Sequence, residues 1–348
     1  MSKHTTLSLD AMGGDSAPDM VVEGVALAFE KLPQVDFLLF GDERQLAPLL
    51  DKYKQLKPVC QIRHTEDVVS NDEKAGVALR SGRHSSMRLA INAVNDGEAA
   101  GIVSAGNTGA LMAMAKFVLK TLPGISRPAI AKNFPTLNGE CMILDLGANV
   151  ICDADNLVQF AVMGEVFART NFGVEKPSIG ILNVGREELK GHESVQQAFN
   201  ILQNIDLPIH FHGFVEGDDI AKGTVDVVVT DGFTGNIALK SAEGTAKMIG
   251  AFLKEALLST TRSKLGAILA KPALDALKKR FDPRLHNGAM FLGLNGICVK
   301  SHGGTDGLGF ANALEVAVEL VSGDLIGVIK EEMTDLDYGM DKEAVTQD

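Results

Sequence analysis

Apolar residues fall in short consecutive runs, and the stretches between them repeat apolar positions at helical spacing. The runs predict strands over 6–10, 36–40, 59–63, 101–104, 142–146, 178–183, 209–213, 225–230 and 296–300. Several are apolar without alternation, the pattern of strands covered on both faces. The intervening stretches predict helices over 19–31, 43–54, 84–95, 108–119, 156–171, 193–203, 234–258 and 311–330. Strand and helix in alternation imply an α/β fold with a doubly wound, mostly parallel sheet, in which ligands gather at the C-terminal ends of strands. No internal repeat or low-complexity linker interrupts the chain. Residues 1–334 therefore read as a single α/β domain, which could still divide into two lobes. Residues 335–348 read as a polar, acidic tail.

One segment departs from this pattern. Over 247–284 the basic residues include Lys247, Lys254, Arg262, Lys264, Lys271, Lys278, Lys279, Arg280 and Arg284, opposed only by Glu255, Asp275 and Asp282. Apolar residues recur there at helical spacing: Ile249, Phe252 and Leu253, then Leu265, Ile268 and Leu269, then Leu274, Leu277 and Phe281. Pro272 starts a fresh helix. The segment reads as a basic, amphipathic helical insertion protruding from the domain. It is either a solvated hairpin packed on the domain or a docking surface for an anionic membrane or an acidic protein. As docking residues it offers Arg262, Lys264, Leu265, Ile268, Leu269, Lys271, Lys278, Lys279 and Arg280.

The chain as a whole is acidic, with a net charge of −12 at pH 7, and it has no Trp. Both features disfavour a nucleic-acid partner. Its four cysteines, Cys60, Cys141, Cys152 and Cys298, are widely spaced and form no C-x-x-C pair, which fits a reduced, cytosolic compartment. No apolar run reaches the ~18 residues of a membrane span, and no signal-peptide pattern opens the chain. It reads as soluble or peripheral.

The chemistry-bearing residues concentrate where predicted strands run into glycine turns. Asp10 and Asp15 flank Gly13 and Gly14, and paired glycines permit close backbone approach to a ligand. Residues 101–108 nearly match the phosphate loop Gly-x-x-x-x-Gly-Lys-Ser/Thr, but Asn107 stands where the lysine belongs, so a smaller anion than a nucleoside triphosphate is expected. There Gly106, Asn107 and Thr108 open a helix whose N-terminus suits an anion. Asn149 follows Asp145 and Gly147 at another strand end. Asp231, Thr234, Gly235 and Asn236 open the long helix over 234–258, as caps or as phosphate contacts. Arg186 and Lys190, on a loop with Glu187 and Glu188, can clamp an oxyanion. His302, in a glycine turn, is a candidate acid or anion donor. Among dinucleotide, nucleophile-elbow and metal patterns none is present, and Cys152 lacks a nearby histidine.

These turns, in this order, resemble the phosphate acyltransferase (acyl-acyl-carrier-protein:phosphate transacylase) family of bacterial phospholipid synthesis. The resemblance rests on Asp10-Ala11-Met12-Gly13-Gly14-Asp15, Ser104-Ala105-Gly106-Asn107-Thr108-Gly109-Ala110, Leu144-Asp145-Leu146-Gly147-Ala148-Asn149, Glu187-Glu188-Leu189-Lys190-Gly191, Asp231-Gly232-Phe233-Thr234-Gly235-Asn236 and Ser301-His302-Gly303. It covers essentially the whole chain. It implies a fold similar to phosphotransacetylases and isocitrate-dehydrogenase-like enzymes, and a homodimer with no metal or organic cofactor. It implies transfer of a fatty acyl group from acyl carrier protein to inorganic phosphate. The acyl phosphate would pass to a membrane glycerol-3-phosphate acyltransferase, and the protein would be cytoplasmic and peripherally attached to an anionic membrane surface. On this reading the catalytic candidates are Lys190, His302, Asn236 and Asp10. The phosphate or substrate contacts are Gly13, Gly14, Asp15, Gly106, Asn107, Thr108, Asn149, Asp231, Thr234 and Gly235. Competing readings are a short-chain phosphotransacetylase using coenzyme A, a nicotinamide-dependent decarboxylating dehydrogenase, and a non-catalytic scaffold for carrier protein or membrane. The missing dinucleotide motif counts against the dehydrogenase, and a scaffold has no need of several anion-suited turns.

Overall fold

The computed structural model describes residues 5–205, 209–280 and 282–333. The tail predicted over 335–348 and the side chain of Phe281 lie outside the described residues. In chain order the first half comprises β1 (Thr5–Asp10), α1 (Asp19–Lys31), β2 (Val35–Gly41), α2 (Glu43–Lys52), β3 (Cys60–His64), α3 (Ala75–Ser81), α4 (Ser86–Asn95), β4 (Gly101–Ser104), α5 (Thr108–Leu119), β5 (Ala129–Thr136), β6 (Gly139–Leu144) and α6 (Ala154–Asn171). The second half comprises β7 (Ser178–Leu182), α7 (Glu193–Asn204), β8 (His210–Val215), α8 (Gly217–Lys222), β9 (Val227–Val229), α9 (Gly232–Leu258), α10 (Thr261–Leu269), α11 (Lys271–Arg280), β10 (Ala289–Leu292), β11 (Ile297–Lys300) and α12 (Gly307–Ser322).

The strands form one 11-stranded sheet in the order β3-β2-β1-β4-β11-β10-β5-β6-β9-β7-β8. Strands β3, β2, β1, β4 and β11 run parallel, as do β6, β9, β7 and β8. Between the two blocks, β10 is antiparallel to β11 and β5, and β5 is antiparallel to β6. The two parallel blocks therefore point in opposite directions. One apolar core packs α1, α2, α6, α7 and α12 on one face, and a second packs α3, α4 and α5, with parts of α8 and α9, on the other. The sheet is thus doubly wound and mostly parallel, as the alternation of elements implies.

Strands β5 and β10 escape the sequence reading. The first carries Lys132, Asn133 and Pro135, which dilute its apolar signal. The second is four residues long, bounded by Gly288 and Gly293, both with positive φ. The helix predicted over 311–330 is interrupted: α12 ends at Ser322, Gly323 and Asp324 form a turn in which Asp324 has φ +48°, and helical structure resumes over 325–333. The basic segment is helical, as predicted. Along α9 only Gly232 and Gly235 are fully buried, Ala238 and Leu239 pack against the second core, and α10 and α11 bury no residue.

Candidate functional site

Strand register brings side chains from β1, β4, β11, β10 and β5 into one transverse row. Asp10 pairs with Ser104, Ser104 with Lys300, and Lys300 with Ala289. Met290 pairs with Ala131, which sets Ala289 beside Lys132. Alternation along each strand turns these residues to the face covered by α4, α5 and α9. The row reads carboxylate, hydroxyl, ammonium, methyl, ammonium.

The acidic end is locked. Asp10 is buried, and its carboxylate accepts from Ser86 Oγ and Ser104 Oγ, both at 2.6 Å. Ser104 Oγ in turn accepts from the Gly106 N–H at 3.0 Å. Burial raises the Asp10 pKa above the ordinary carboxylate value. Gly13 has to be glycine: a Cβ there would overlap the Asp10 carboxylate and lie 2.7 Å from the Gly106 nitrogen. Gly14 has φ +112°, and the Asp15 N–H bonds the Gly303 carbonyl at 2.9 Å. The turns after β1, β4 and β11 are therefore clasped together at the C-terminal ends of three parallel strands.

The basic end is open to charge. Lys300 donates to the carbonyls of Ala105, at 3.2 Å, and Ser301, and burial lowers its pKa to about 8. Burial likewise lowers Lys132, partly offset by Glu243. On α9, Glu243 lies 3.0 Å from Lys240 and 3.8 Å from Lys132. His302 is held by its N–H to Asn287 Oδ1 at 3.0 Å, and its Nδ1 accepts from the Gly304 N–H at 3.1 Å. Burial, then the charges of Lys300 and Lys240, lower its pKa. At neutral pH His302 is thus an uncharged imidazole whose proton sits on Nε2, a hydrogen-bond donor rather than an imidazolium acid. Among the described residues Glu243 is the one carboxylate in a salt bridge with any of these three lysines, Asp10 and Asp15 act on Lys300 at longer range, and the lysines with this donor favour an anion.

The second set of predicted residues lies at the other end of the strands, after β6 and β9. Asp145 is buried and gathers five donors: the N–H groups of Ile130, Gly147, Ala148 and Asn149 and the Asn149 side-chain amide, at 2.7 to 3.1 Å. Asn149 also donates to the Pro128 carbonyl at 2.8 Å. Its amide is turned inward, which corrects the expectation that it is offered to a cleft. Asp231 caps α9 by accepting the Thr234 N–H at 2.7 Å and the Thr234 hydroxyl at 3.0 Å. The side chains of Asp231 and Thr234 satisfy each other, so the capping alternative prevails over the phosphate contact. Asn107 is corrected in the same way. Its Oδ1 caps α5 at Ala110, and its Nδ2 clasps the carbonyls of Asn71 at 2.9 Å and Glu73 at 2.8 Å. At this turn the backbone N–H groups of Thr108 and Gly109, not the Asn107 amide, suit an anion.

Helix α9 connects the two sets. Asn236 in its first turn donates to the Leu146 carbonyl at 3.0 Å. Lys240, four residues on and on the same helical face, reaches the row. The turns at Gly13–Gly14 and at Thr234–Asn236 therefore do not form one cradle. They stand at opposite ends of the strands, on either side of the row across β1, β4, β11, β10 and β5. Gly235 sets how closely α9 enters, because a Cβ there would overlap the Asp145 carbonyl. Gly235→Ala is expected to cost about 1–3 kcal/mol through this overpacking. Urea melts would show it as a lower midpoint at unchanged slope, and a midpoint within experimental scatter of the unmutated chain would count against the close approach.

Arg186 is not free to clamp a substrate. Its Nη2 donates to both carboxylate oxygens of Asp219 at 2.9 and 3.0 Å, and Asp219, buried yet held by backbone and guanidinium donors, has its pKa lowered to about 2. Lys190 is half exposed, its ammonium 2.7 Å from Glu187. Among the described residues one carboxylate trio, Glu216, Asp218 and Asp219, has metal-like spacing, but Arg186 and Lys222 already pair with it. Burial pushes the thiols of Cys60, Cys141 and Cys152 up to about 12, so none is a ready nucleophile.

Two groups of basic-segment residues behave differently. Leu265, Ile268 and Leu269 on α10 are 61%, 68% and 77% exposed. Arg280 instead donates to the Thr136 carbonyl at 2.9 Å, so it ties α11 to β5 and is less available for docking than predicted. Beneath α9–α11 runs an apolar groove of about 1470 Å³, lined by Phe134, Ile143, Ala242, Ile249, Leu253 and Leu277 among others. Among the described residues no helix is long and apolar enough to cross a membrane.

Comparison with known proteins fits this geometry. The solved phosphotransacetylase of Streptococcus pyogenes superposes with a TM-score of 0.64 at 17% identity, covering 94% of this chain and 95% of that one. The EutD phosphotransacetylase of Staphylococcus aureus does so at 0.58 and 15%, covering 92% and 93%. At such identity the likeness is one of fold. A family model described as fatty acid synthesis protein matches residues 5–327. The phosphate acyltransferase of Rhodospirillum centenum is 60% identical over 346 residues, covering 99% of this chain and 98% of that protein. That of Paramagnetospirillum magneticum is 62% identical over 322 residues, covering 92% of each. Sharing most of its residues with these proteins along nearly its whole length, the chain belongs to the phosphate acyltransferase family.

Proposed function

We propose that this protein transfers a fatty acyl group from the thioester of acyl carrier protein to inorganic phosphate, releasing an acyl phosphate. The observation that carries the reading is near full-length likeness to phosphate acyltransferases. Hydrogen phosphate attacks the thioester carbonyl, a C–O bond forms, the C–S bond breaks, and the phosphate proton ends on the carrier thiol. A thiolate leaves readily, so no covalent enzyme intermediate is needed. The protein's work is to position the anion, meet the tetrahedral oxyanion with donors and exclude water. The Nε2–H of His302 after β11 and the ammonium of Lys190 after β7 stand at opposite ends of the strands and are alternative side-chain donors for that oxyanion, Asp10 holds the turns after β1 and β4 in place, and Asn236 fixes the start of α9. No metal or organic cofactor is required. The apolar groove beneath α9–α11 would take the acyl chain.

The test is to incubate the protein with phosphate and long-chain acyl carrier protein and trap acyl phosphate with hydroxylamine. Product from acetyl-coenzyme A alone would instead support a short-chain phosphotransacetylase, and no consumption of either thioester would leave a scaffold.

The protein would work as a cytoplasmic homodimer, peripherally attached, handing acyl phosphate to a membrane glycerol-3-phosphate acyltransferase. The exposed apolar face of α10 and its neighbours Arg262, Lys264 and Lys271 suit an anionic bilayer. Changing Leu265, Ile268 and Leu269 together to Ser is expected to cut flotation with anionic vesicles at least about tenfold, since a fully buried aliphatic side chain contributes roughly 1.5–3 kcal/mol. Unimpaired flotation would remove α10 from membrane attachment.

A further inference from the structure

From the cross-strand row we infer that Lys132 and Lys300, flanking Ala289 on three adjacent strands, grip the attacking phosphate, with Lys240 of α9 closing the site from above. The inference rests on the proposed acyl transfer and assigns the anion subsite within it. It comes from register rather than from any sequence motif. Neighbouring strands lie about 4.8 Å apart, so two lysines separated by one intervening strand stand roughly 10 Å apart at their Cα atoms. The residue between them is an alanine, whose methyl leaves room for a tetraoxyanion between the two ammonium groups. Lysine side chains are long enough to converge on that space.

The partners of these lysines show that the positive charge is not already neutralised. Among the described residues Lys300 hydrogen-bonds the carbonyls of Ala105 and Ser301, and Asp10 and Asp15 act on it at longer range without a salt bridge. Lys132 and Lys240 share the single carboxylate of Glu243. Two of the three, Lys132 and Lys300, are largely buried, and an ammonium kept from water without a carboxylate of its own is costly unless an anion repays it. A phosphate dianion between them would supply that charge through charge-assisted contacts. His302, two residues beyond Lys300, then stands where the phosphate and the thioester carbonyl meet. The groove beneath α9–α11 opens from the same helix, with Ala242 in its wall next to Glu243.

The groups facing Lys300 are Asp10 on β1, Asp15 in the turn after it, Cys298 on its own strand and His302 beyond it. Asp10 is bound to two hydroxyls and Cys298 stays a thiol, so the change of charge in this subsite above neutrality falls on Lys300 and on Lys132, whose pKa burial also lowers. The KM for phosphate is expected to rise as the pH passes about 8, and this rise should flatten in Lys300→Met.

The decisive measurement is steady-state kinetics of Lys132→Met, Lys300→Met and Lys240→Met in the full chain. Each is expected to raise the KM for phosphate about 10- to 100-fold, the loss of one charged contact, with the KM for acyl carrier protein changed less than about twofold. Lys132→Arg should restore part of the loss. Lys240 is exposed, so its variant tests the assignment even if a buried substitution fails to fold. Line broadening of inorganic phosphate in ³¹P NMR spectra, present with the unmutated protein and absent with the variants, gives a readout independent of turnover. Variants that retain the phosphate KM and the broadening, in a protein that does form acyl phosphate, would overturn the subsite. An unmutated protein that forms no acyl phosphate yet broadens the phosphate signal through these lysines would overturn the acyl transfer and leave the anion site standing.

Discussion

Asp145→Ala is expected to lower stability by roughly 3–5 kcal/mol, the range found when one partner of a buried charged network is removed. The carboxylate is 0% exposed and is the common acceptor of five donors. Truncation leaves the N–H groups of Ile130, Gly147, Ala148 and Asn149 without their acceptor, and each buried donor so stranded costs about 1–3 kcal/mol before water relieves some of it. The consequence reaches beyond the turn. Asp145 joins the N-terminal end of β5 to the C-terminal end of β6, and its carbonyl is the surface against which Gly235 seats α9. A loosened turn would release α9 and, with it, Lys240 and Glu243 above the lysine row. Asp145→Asn keeps the shape but exchanges one acceptor for a donor facing donors, so a smaller loss is expected. Chemical denaturation followed by circular dichroism measures both. A cost below about 1 kcal/mol for the alanine variant would mean that the five bonds are readily replaced by water and that Asp145 does not organise this edge.

How much of this was legible beforehand follows from the kind of signal each residue leaves. The turns after β1, β4, β6, β9 and β11 were visible because their conformation demands glycine: Gly13 abuts a carboxylate, Gly14 and Gly147 have positive φ, and Gly235 meets a carbonyl. Such demands are written in residue identity. The roles of Asn107, Asn149 and Thr234 were not, because the hydroxyl or amide that binds a phosphate is chemically the same group that caps a helix or closes a turn. Only the partners decide, and here Ala110, Pro128 and Asp231 are the partners. Lys132 and Lys300 were missed for a different reason. Each is a single cation at the end of, or within, a strand, indistinguishable in one dimension from a solvated edge residue. Their relation is created by pairing with β10, a strand too short to read, across an antiparallel reversal that alternating βα units do not announce. The same reversal explains why turns that look equivalent along the chain lie at opposite ends of the strands.

Lys190→Ala is expected to reduce turnover about 10²- to 10³-fold, the loss seen when one preorganised oxyanion donor is removed, while stability changes by less than about 0.5 kcal/mol. The two halves of this expectation have separate structural grounds. The backbone of the loop after β7 is held without the lysine side chain: Asn183 donates to the Lys190 carbonyl at 3.0 Å, Gln196 donates to the Leu189 carbonyl at 2.9 Å, and Gly191 takes φ +93° so that the chain can pass Asn183. Among the described residues the ammonium itself meets only Glu187, and both partners are at least half exposed. An exposed pair of this kind contributes at most about 1 kcal/mol, so the side chain can leave Glu187 for a developing oxyanion at little cost. Arg186, four residues earlier, has less freedom because its Nη2 is bound to both carboxylate oxygens of Asp219. Lysine and not arginine is therefore the mobile cation of this loop, and Lys190→Arg is expected to restore part of the rate. Single-turnover measurements with saturating phosphate and acylated carrier, set beside melting curves of the same preparations, separate chemistry from folding. A Lys190→Ala variant that turns over within threefold of the unmutated enzyme would take this lysine out of the reaction and leave oxyanion stabilisation to His302 and the backbone donors of the glycine turns.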